Sequence, residues 1–541
     1  MKRFATTIVL CLSAHTLIGQ ESSTGSAPAF SPVTWERLVN AGDEPHNWLM
    51  YSGTFSSQRF SRLDQINVDN VNDLELKWAY QIPVIDRAET TPLVVDGVMF
   101  ITEAPSNLVA VDAVTGGVFW RYDHELPEDL RLCCGRNNRG VAILGNTLFM
   151  STLDAHLVAI DATTGNLVWD ATVANYKAGY SKTAAPLIVK DQVVTGIAGG
   201  EFGIRGFLDS YNATSGNREW RAYTIPGPDH PDNQSWSGES WRTGGSPTWI
   251  TGSYDPDLDL VYWGTGNPGP DYNGDMRLGD NLYADSVLAL DGDSGELSWY
   301  FQFTPHDVHD WDAIQIPILA DLDYGGQSRK VMMWANRNAF FYVLDRETGE
   351  YLLGKPFARQ TWAQGLDENG RPIRVPDMFP TPEGIVVSPS VLGGTNWWSP
   401  AYSPRTGLFY VNAFDGETEF FKRDDEHQEG IRFAGGGPQA VSAIDNYFNA
   451  IRALDPKTGE RRWEFPITPQ SRAGILATAG DVIFSGGVDG YFFALDAKTG
   501  KELWHISLGR LVQAAPITYS VDNQQFVTIA AGNVVYTFGL N

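Results

Sequence analysis

Three short segments carry side chains that could do chemistry together. Gly199-Gly200-Glu201-Phe202-Gly203 sets one carboxylate between glycines, and Gly264-Thr265-Gly266-Asn267-Pro268-Gly269 displays an amide. The run from Thr304 to Asp312, TPHDVHDWD, packs three Asp and two His into nine residues. Carboxylates and an amide oxygen suit a hard cation, whereas His306 and His309 alone would suit a transition metal. Asp310 and Asp312 are two apart and would face one side of an extended strand. A solvated acidic loop is the plainer reading of the same residues. The glycine segment also matches G-x-G-x-x-G, but a dinucleotide site needs those glycines to open a helix after a strand. Pro268 and Pro270 sit where helical N–H groups are required. We read Leu260 to Trp263 as a strand ending in a loop that presents Asn267.

Cys133 and Cys134 are the only cysteines beyond Cys11, and they are adjacent. In an exported chain an oxidising compartment would favour a bridge between them. Neighbouring Cα atoms lie about 3.8 Å apart, closer than the usual disulfide range, so two free buried thiols are the alternative. No Cys-x-x-Cys-His is present, so the chain encodes no covalent c-type haem site.

The elements that must position these groups are announced by a repeat. An apolar strand, an Asp or Asn, a turn ending in Gly and then Trp recur as VDAVTGGVFW (111–120), IDATTGNLVW (160–169) and YNATSGNREW (211–220). The phrase returns as LDGDSGELSW (290–299), LDPKTGERRW (454–463) and LDAKTGKELW (495–504), with a Trp-less copy, LDRETGEYLL, at 344–353. Each phrase reads as a β-hairpin, with Gly supplying the positive φ. Its shorter spacings match one four-stranded propeller blade, with Trp wedged between neighbours. Seven phrases plus a hairpin at residues 395–414 predict an all-β, eight-bladed propeller whose long loops on one face carry function.

The balance of 39 Lys+Arg against 65 Asp+Glu gives a net charge of −26. Such a surface repels phosphate backbones and anionic lipid, which argues against nucleic-acid or membrane-surface roles. Lys2 and Arg3 precede the apolar stretch Phe4 to Leu12, the layout of a secretory signal peptide over residues 1–22. A lipidated Cys11 is disfavoured by Leu10 before it. A single propeller domain is expected over residues 31–541, with no membrane span.

From about Trp35 onward these segments resemble the quinoprotein alcohol dehydrogenases, the methanol-dehydrogenase-like eight-bladed propellers that hold pyrroloquinoline quinone (PQQ) and a metal ion. The resemblance implies that Glu89 in AETTPLVVDG, the Cys133-Cys134 pair, Arg139 in CCGRNNRG, Thr183 in TAAPLIVKD, and Asn396 and Trp397 in TNWW contact the quinone. It makes Trp249 in GGSPTWITGSYD the aromatic floor, places Arg337 in NRNAFFYVLD near the reactive carbonyls, and makes Glu201 and Asn267 metal ligands. It also favours the vicinal disulfide. A planar quinone gains from an aromatic face, and its carboxylates need Arg139 and hydroxyl donors such as Thr183.

The implied reaction is oxidation of a small alcohol to an aldehyde or ketone in the periplasm. Asp310 would act as the base, Arg337 would stabilise the quinone oxygens, and the metal would act as a Lewis acid. Without haem, the electrons would pass to a separate carrier, a soluble cytochrome c. Two departures from the family pattern, Arg472 in place of a tryptophan and Ala198 in place of a serine, argue against methanol as the preferred substrate. A quinoprotein acting on sugars or polymeric alcohols, and a non-catalytic envelope scaffold, are the competing readings. An ungapped match through the 304–315 loop puts Asp310 at the catalytic position and Gln315 opposite a family amide. Asp312 then falls where lanthanide-dependent relatives carry an extra Asp. Glu201, Asn267, Asp310 and Asp312 are accordingly expected to bind a lanthanide ion, with calcium as the alternative.

Overall fold

The computed structural model describes residues 26–84, 87–439, 447–468 and 470–541. The expected signal peptide, residues 1–22, lies outside them. The repeated phrase folds as the outer hairpin of a four-stranded antiparallel sheet: Val111 to Trp120, for example, joins Asn107–Asp112 to Val118–Tyr122. Local chemistry fixes this turn. The Asp112 carboxylate accepts from the N–H groups of Val114 and Thr115 at 2.9 and 2.8 Å, and Gly116 takes φ 74°. Asp161, Asp291 and Asp496 make the same pair of bonds in their own turns.

The phrase also builds the seam to the next sheet. Trp120 Nε1 donates to the carbonyl of Ala162 at 3.1 Å, as Trp78 does to Ala113, Trp169 to Ala213 and Trp463 to Ala497. The repeat glycine lies against the preceding indole, so that a Cβ on Gly165 would fall 2.6 Å from Trp120. Gly is therefore needed there for space as well as for its positive φ of 75°.

Among the described residues, seven sheets of four strands and one of five follow one another, with two smaller sheets beside them. The five-stranded sheet gains Phe60–Ser61, which runs parallel to Leu476–Thr478. The ring of this β-propeller closes where Glu75–Gln81 pairs with Val534–Gly539, joining both ends of the chain in one sheet. First strands such as Leu93–Val95 and Leu187–Val189 are wholly buried, while fourth strands such as Leu167–Thr172 are largely exposed. No helix of the described residues is long and apolar enough to cross a membrane.

One sequence expectation is corrected. The hairpin at 395–414 is not a unit of its own. Ala401–Ser403 and Leu408–Asp415 form the inner half of the sheet that Phe448–Leu454 and Arg461–Ile467 complete, so they belong with the phrase at 454–463. An insertion between the second and third strands, containing Thr418–Lys422 and Gly436–Gln439, separates the two halves in sequence. The sheet that carries no phrase is the terminal one.

Candidate active site

Glu89, Arg139, Thr183, Trp249, Asp310, Asp312, Asn396 and Trp397 all lie on segments that lead into the first strand of a sheet. Glu201, Asn267 and Arg337 follow second strands. In an antiparallel sheet the start of the first strand and the end of the second lie at the same end. All these residues therefore reach one face of the ring. They line a single cavity of about 250 Å³, together with Cys133, Cys134, Arg472 and Ala198.

One wall is built on Arg139. Its guanidinium sits 4.5 Å from the Trp397 ring centroid and 5.3 Å from that of Trp249. It donates to Thr183 Oγ1 at 2.8 Å and lies 2.7 Å from the Glu89 carboxylate. Burial pushes the Glu89 carboxyl above its ordinary range, with Arg139 opposing the shift. Arg139 Nε and Arg472 Nε are buried without hydrogen-bond partners. Asn396 donates from Nδ2 to the Leu392 carbonyl at 2.9 Å and accepts at Oδ1 from the Trp397 N–H. At the mouth, Cys133 and Cys134 are exposed, with their sulfurs bonded at 1.97 Å. The alternative of two free buried thiols is thereby corrected.

The opposite wall is acidic. Glu201 stands on the turn Gly200–Phe202, between Gly199 at φ 119° and Gly203 at φ 64°. Close packing also dictates Gly266, where an added Cβ would fall 2.2 Å from Asp312 Oδ1. The Asn267 N–H donates to that oxygen at 2.9 Å. Arg337 Nη1 donates to the other oxygen, Asp312 Oδ2, while Nη2 lies 3.8 Å from Asp310 Oδ2 and donates to the Val391 carbonyl at 2.6 Å. Burial pushes Glu201, Asp310 and Asp312 upward in pKa; the carboxylates of Asp310 and Asp312 hold Arg337 above its ordinary value against the effect of its own burial.

Asp310 and Asp312 share this wall for a different reason than the sequence suggested. The 304–312 loop is not an extended strand: Asp310 has φ 61°, and Asp307 accepts from the N–H groups of His309 and Trp311 to hold a compact turn. Neither histidine lines the cavity. His306 contacts the Gly279 carbonyl and His309 that of Met378, and among the described residues this pair does not join a third His, Cys, Asp or Glu in one compact ligand group. Asp310 keeps 22% side-chain exposure toward the cavity, against 6% for Asp312. Among the described residues, the oxygens of Glu201, Asp310 and Asp312 do not all fall within 4.8 Å of one another.

Sequence reasoning missed two residues. Tyr272 OH donates to Asp310 Oδ2 at 3.2 Å, and Asp271 Oδ1 accepts from Asn267 Nδ2 at 2.9 Å. Both follow the loop that presents Asn267, and their nearness to it was the available signal. The donor set fits the groups implied by the sequence: hard oxygen donors for an ion on one wall, and arginine beside aromatic faces for an anionic planar ligand on the other.

A family model described as glucose/ethanol/alcohol dehydrogenase, beta-propeller domain, matches residues 48–364, and a model described as outer membrane protein assembly factor BamB matches 448–539. The chain is 38% identical to the quinoprotein alcohol dehydrogenase PedH of Pseudomonas putida, over 97% of this chain and 91% of that protein. It is 34% identical to a quinoprotein ethanol dehydrogenase of Pseudomonas putida, over 94% and 90%. Among solved structures, a europium-containing methanol dehydrogenase superposes with a TM-score of 0.89 at 32% identity, covering 93% of this chain and all of the other. The chain thus belongs to the PQQ-dependent quinoprotein alcohol dehydrogenases.

Proposed function

We propose that this enzyme oxidises a small alcohol in the periplasm, with PQQ held between Trp249 and the Cys133–Cys134 bridge and a lanthanide ion held by Glu201, Asn267, Asp310 and Asp312. The cofactor, when bound, supplies the two-electron acceptor, and the ion supplies Lewis acidity. Arg139, Thr183 and Glu89 orient the quinone through its polar edge, with Asn396 and Trp397 lining the same wall. Asp310 takes the proton from the alcohol hydroxyl while the adjacent carbon gives up hydride or its equivalent, leaving an aldehyde or ketone. Arg337 steadies Asp310 in its charged form and stabilises negative charge that develops beside it. The two electrons then leave to a separate carrier, a soluble cytochrome c, whose basic docking face the acidic chain would attract.

The observation that carries this reading is the Asp310–Arg337–Asp312 group on one wall of a cavity whose other wall is Arg139 between two indoles. The second aspartate supports a trivalent ion, and a europium-containing methanol dehydrogenase is among the structures this fold matches. Arg472 and Ala198 in the cavity lining support an alcohol other than methanol. Metal-stripped protein should oxidise alcohols with an artificial dye acceptor only when PQQ and an ion are both restored. Lanthanum or cerium should restore more activity than calcium, and Asp312→Ala should remove that preference. Full reactivation by calcium with no response to lanthanides would refute the lanthanide assignment.

A further inference from the structure

Asp271 is fully buried, with 0% exposure, four residues beyond Asn267. Its two oxygens have different fates. Oδ1 accepts from Asn267 Nδ2 at 2.9 Å, whereas Oδ2 is buried with no hydrogen-bond partner. No ion pair reaches Asp271 among the described residues; of the charged groups that act on it, Glu201 and Asp312 are of like sign and Arg432 opposes them. A charged carboxylate oxygen in that position is costly unless a cation meets it, and without one burial favours its protonated form.

The hydrogen bond has a directional consequence. With Nδ2 committed to Asp271, the planar Asn267 amide presents its oxygen the other way, where Oδ1 lies 3.7 Å from the Cβ position of Gly200, beside Glu201. The Asn267 N–H is meanwhile bound to Asp312 Oδ1. Asn267 is thus clamped between two aspartates, with only its carbonyl oxygen left for a ligand.

We propose that Asp271 is a positioning residue of the metal site that also sets its charge. It turns the Asn267 oxygen toward the ion and adds a fourth carboxylate to Glu201, Asp310 and Asp312, so that the site favours a trivalent over a divalent cation. Coulomb attraction scales with the charge of the ion, so losing one nearby negative charge costs a trivalent ion half as much again as a divalent one. The proposal rests on the metal assignment above.

Titration calorimetry of PQQ-loaded, metal-stripped protein with lanthanum and with calcium tests it. Asp271→Asn should weaken lanthanum binding by about 10- to 100-fold, as loss of an outer partner does, and calcium binding by less. If that chain does not fold, Asp271→Ser keeps an acceptor oxygen without the charge and should show the same narrowing of the lanthanum-to-calcium ratio. Unchanged affinities, or equal losses for both ions, overturn the proposal while leaving the metal site standing. Lanthanum binding that is indifferent to Glu201→Gln overturns the metal assignment and this proposal together.

Discussion

The Trp120 seam and the cavity that the sheets surround treat polar groups in opposite ways, although at the Trp220 and Trp299 seams the indole N–H is buried without a partner. At a seam such as Trp120 to Ala162, the indole N–H is bonded, the turn N–H groups are bonded to Asp112, and the space over the ring is filled by a glycine backbone. In the cavity lining, Arg139 Nε, Arg337 Nε and Arg472 Nε are buried without partners, and buried carboxylates stand near one another. Buried polar atoms are normally satisfied, so a concentration of exceptions on one cavity lining marks groups arranged for something other than stability. The seams hold the ring closed, whereas the cavity leaves buried groups open to a ligand.

The largest effect should come from breaking the cavity while sparing the seams. Asp310→Asn removes the group proposed as proton acceptor and should lower kcat by about 10²- to 10⁴-fold. The melting temperature should hold, since among the described residues the Asp310 side chain meets only the Tyr272 hydroxyl and the Arg337 guanidinium. Steady-state rates with PQQ and ion bound, read beside calorimetry, check both halves. A variant with near-normal kcat would remove Asp310 from the role of base.

The converse variant breaks a seam and spares the cavity. Trp120→Ala deletes a 4%-exposed indole, its bond to Ala162 and the surface on which Gly165 rests. A cost of about 3–5 kcal/mol is expected from the cavity left behind. It should appear as a lower melting temperature with kcat per folded molecule retained. Loss of kcat at a temperature where the variant remains folded would show that seam and cavity are coupled.

The seams were legible in the sequence because the repeat is local: Asp, Gly and Trp at fixed spacing act within one turn and on the next sheet. The site was legible only residue by residue. Glu201, Asn267, Asp310, Asp312 and Arg337 could each be matched to a family motif, and their common cavity follows once the strand order places them on one face. What could not be read was geometry that depends on turns: the positive φ of Asp310, the withdrawal of His306 and His309 to backbone carbonyls, and the clamp of Asp271 on Asn267. The hairpin at 395–414 was misassigned for a similar reason, because a long insertion hides that its partner strands lie after residue 447.

The subtlest expected difference between the two regions is in pH dependence. Glu89, Glu201, Asp271, Asp285, Asp310 and Asp312 all have carboxyl groups raised above their ordinary range, chiefly by burial. A carboxyl raised in the fold is more readily protonated there than in the unfolded chain, whose carboxylates titrate near about pH 4. The stability each contributes is full below that unfolded value and is lost as pH rises through the raised folded value. Metal-free protein should therefore melt at progressively lower temperature as pH increases above about 4, and a bound cation should flatten that slope by stabilising the charged forms. Trp120→Ala removes no titrating side chain, so it should lower the whole curve without changing its slope. Glu201→Gln, with one raised carboxyl fewer, should make the slope shallower. A metal-free melting temperature that stays flat from pH 4 to 8 would mean that nearby arginines already compensate these carboxylates, and that the cavity does not hold uncompensated charge in reserve for an ion.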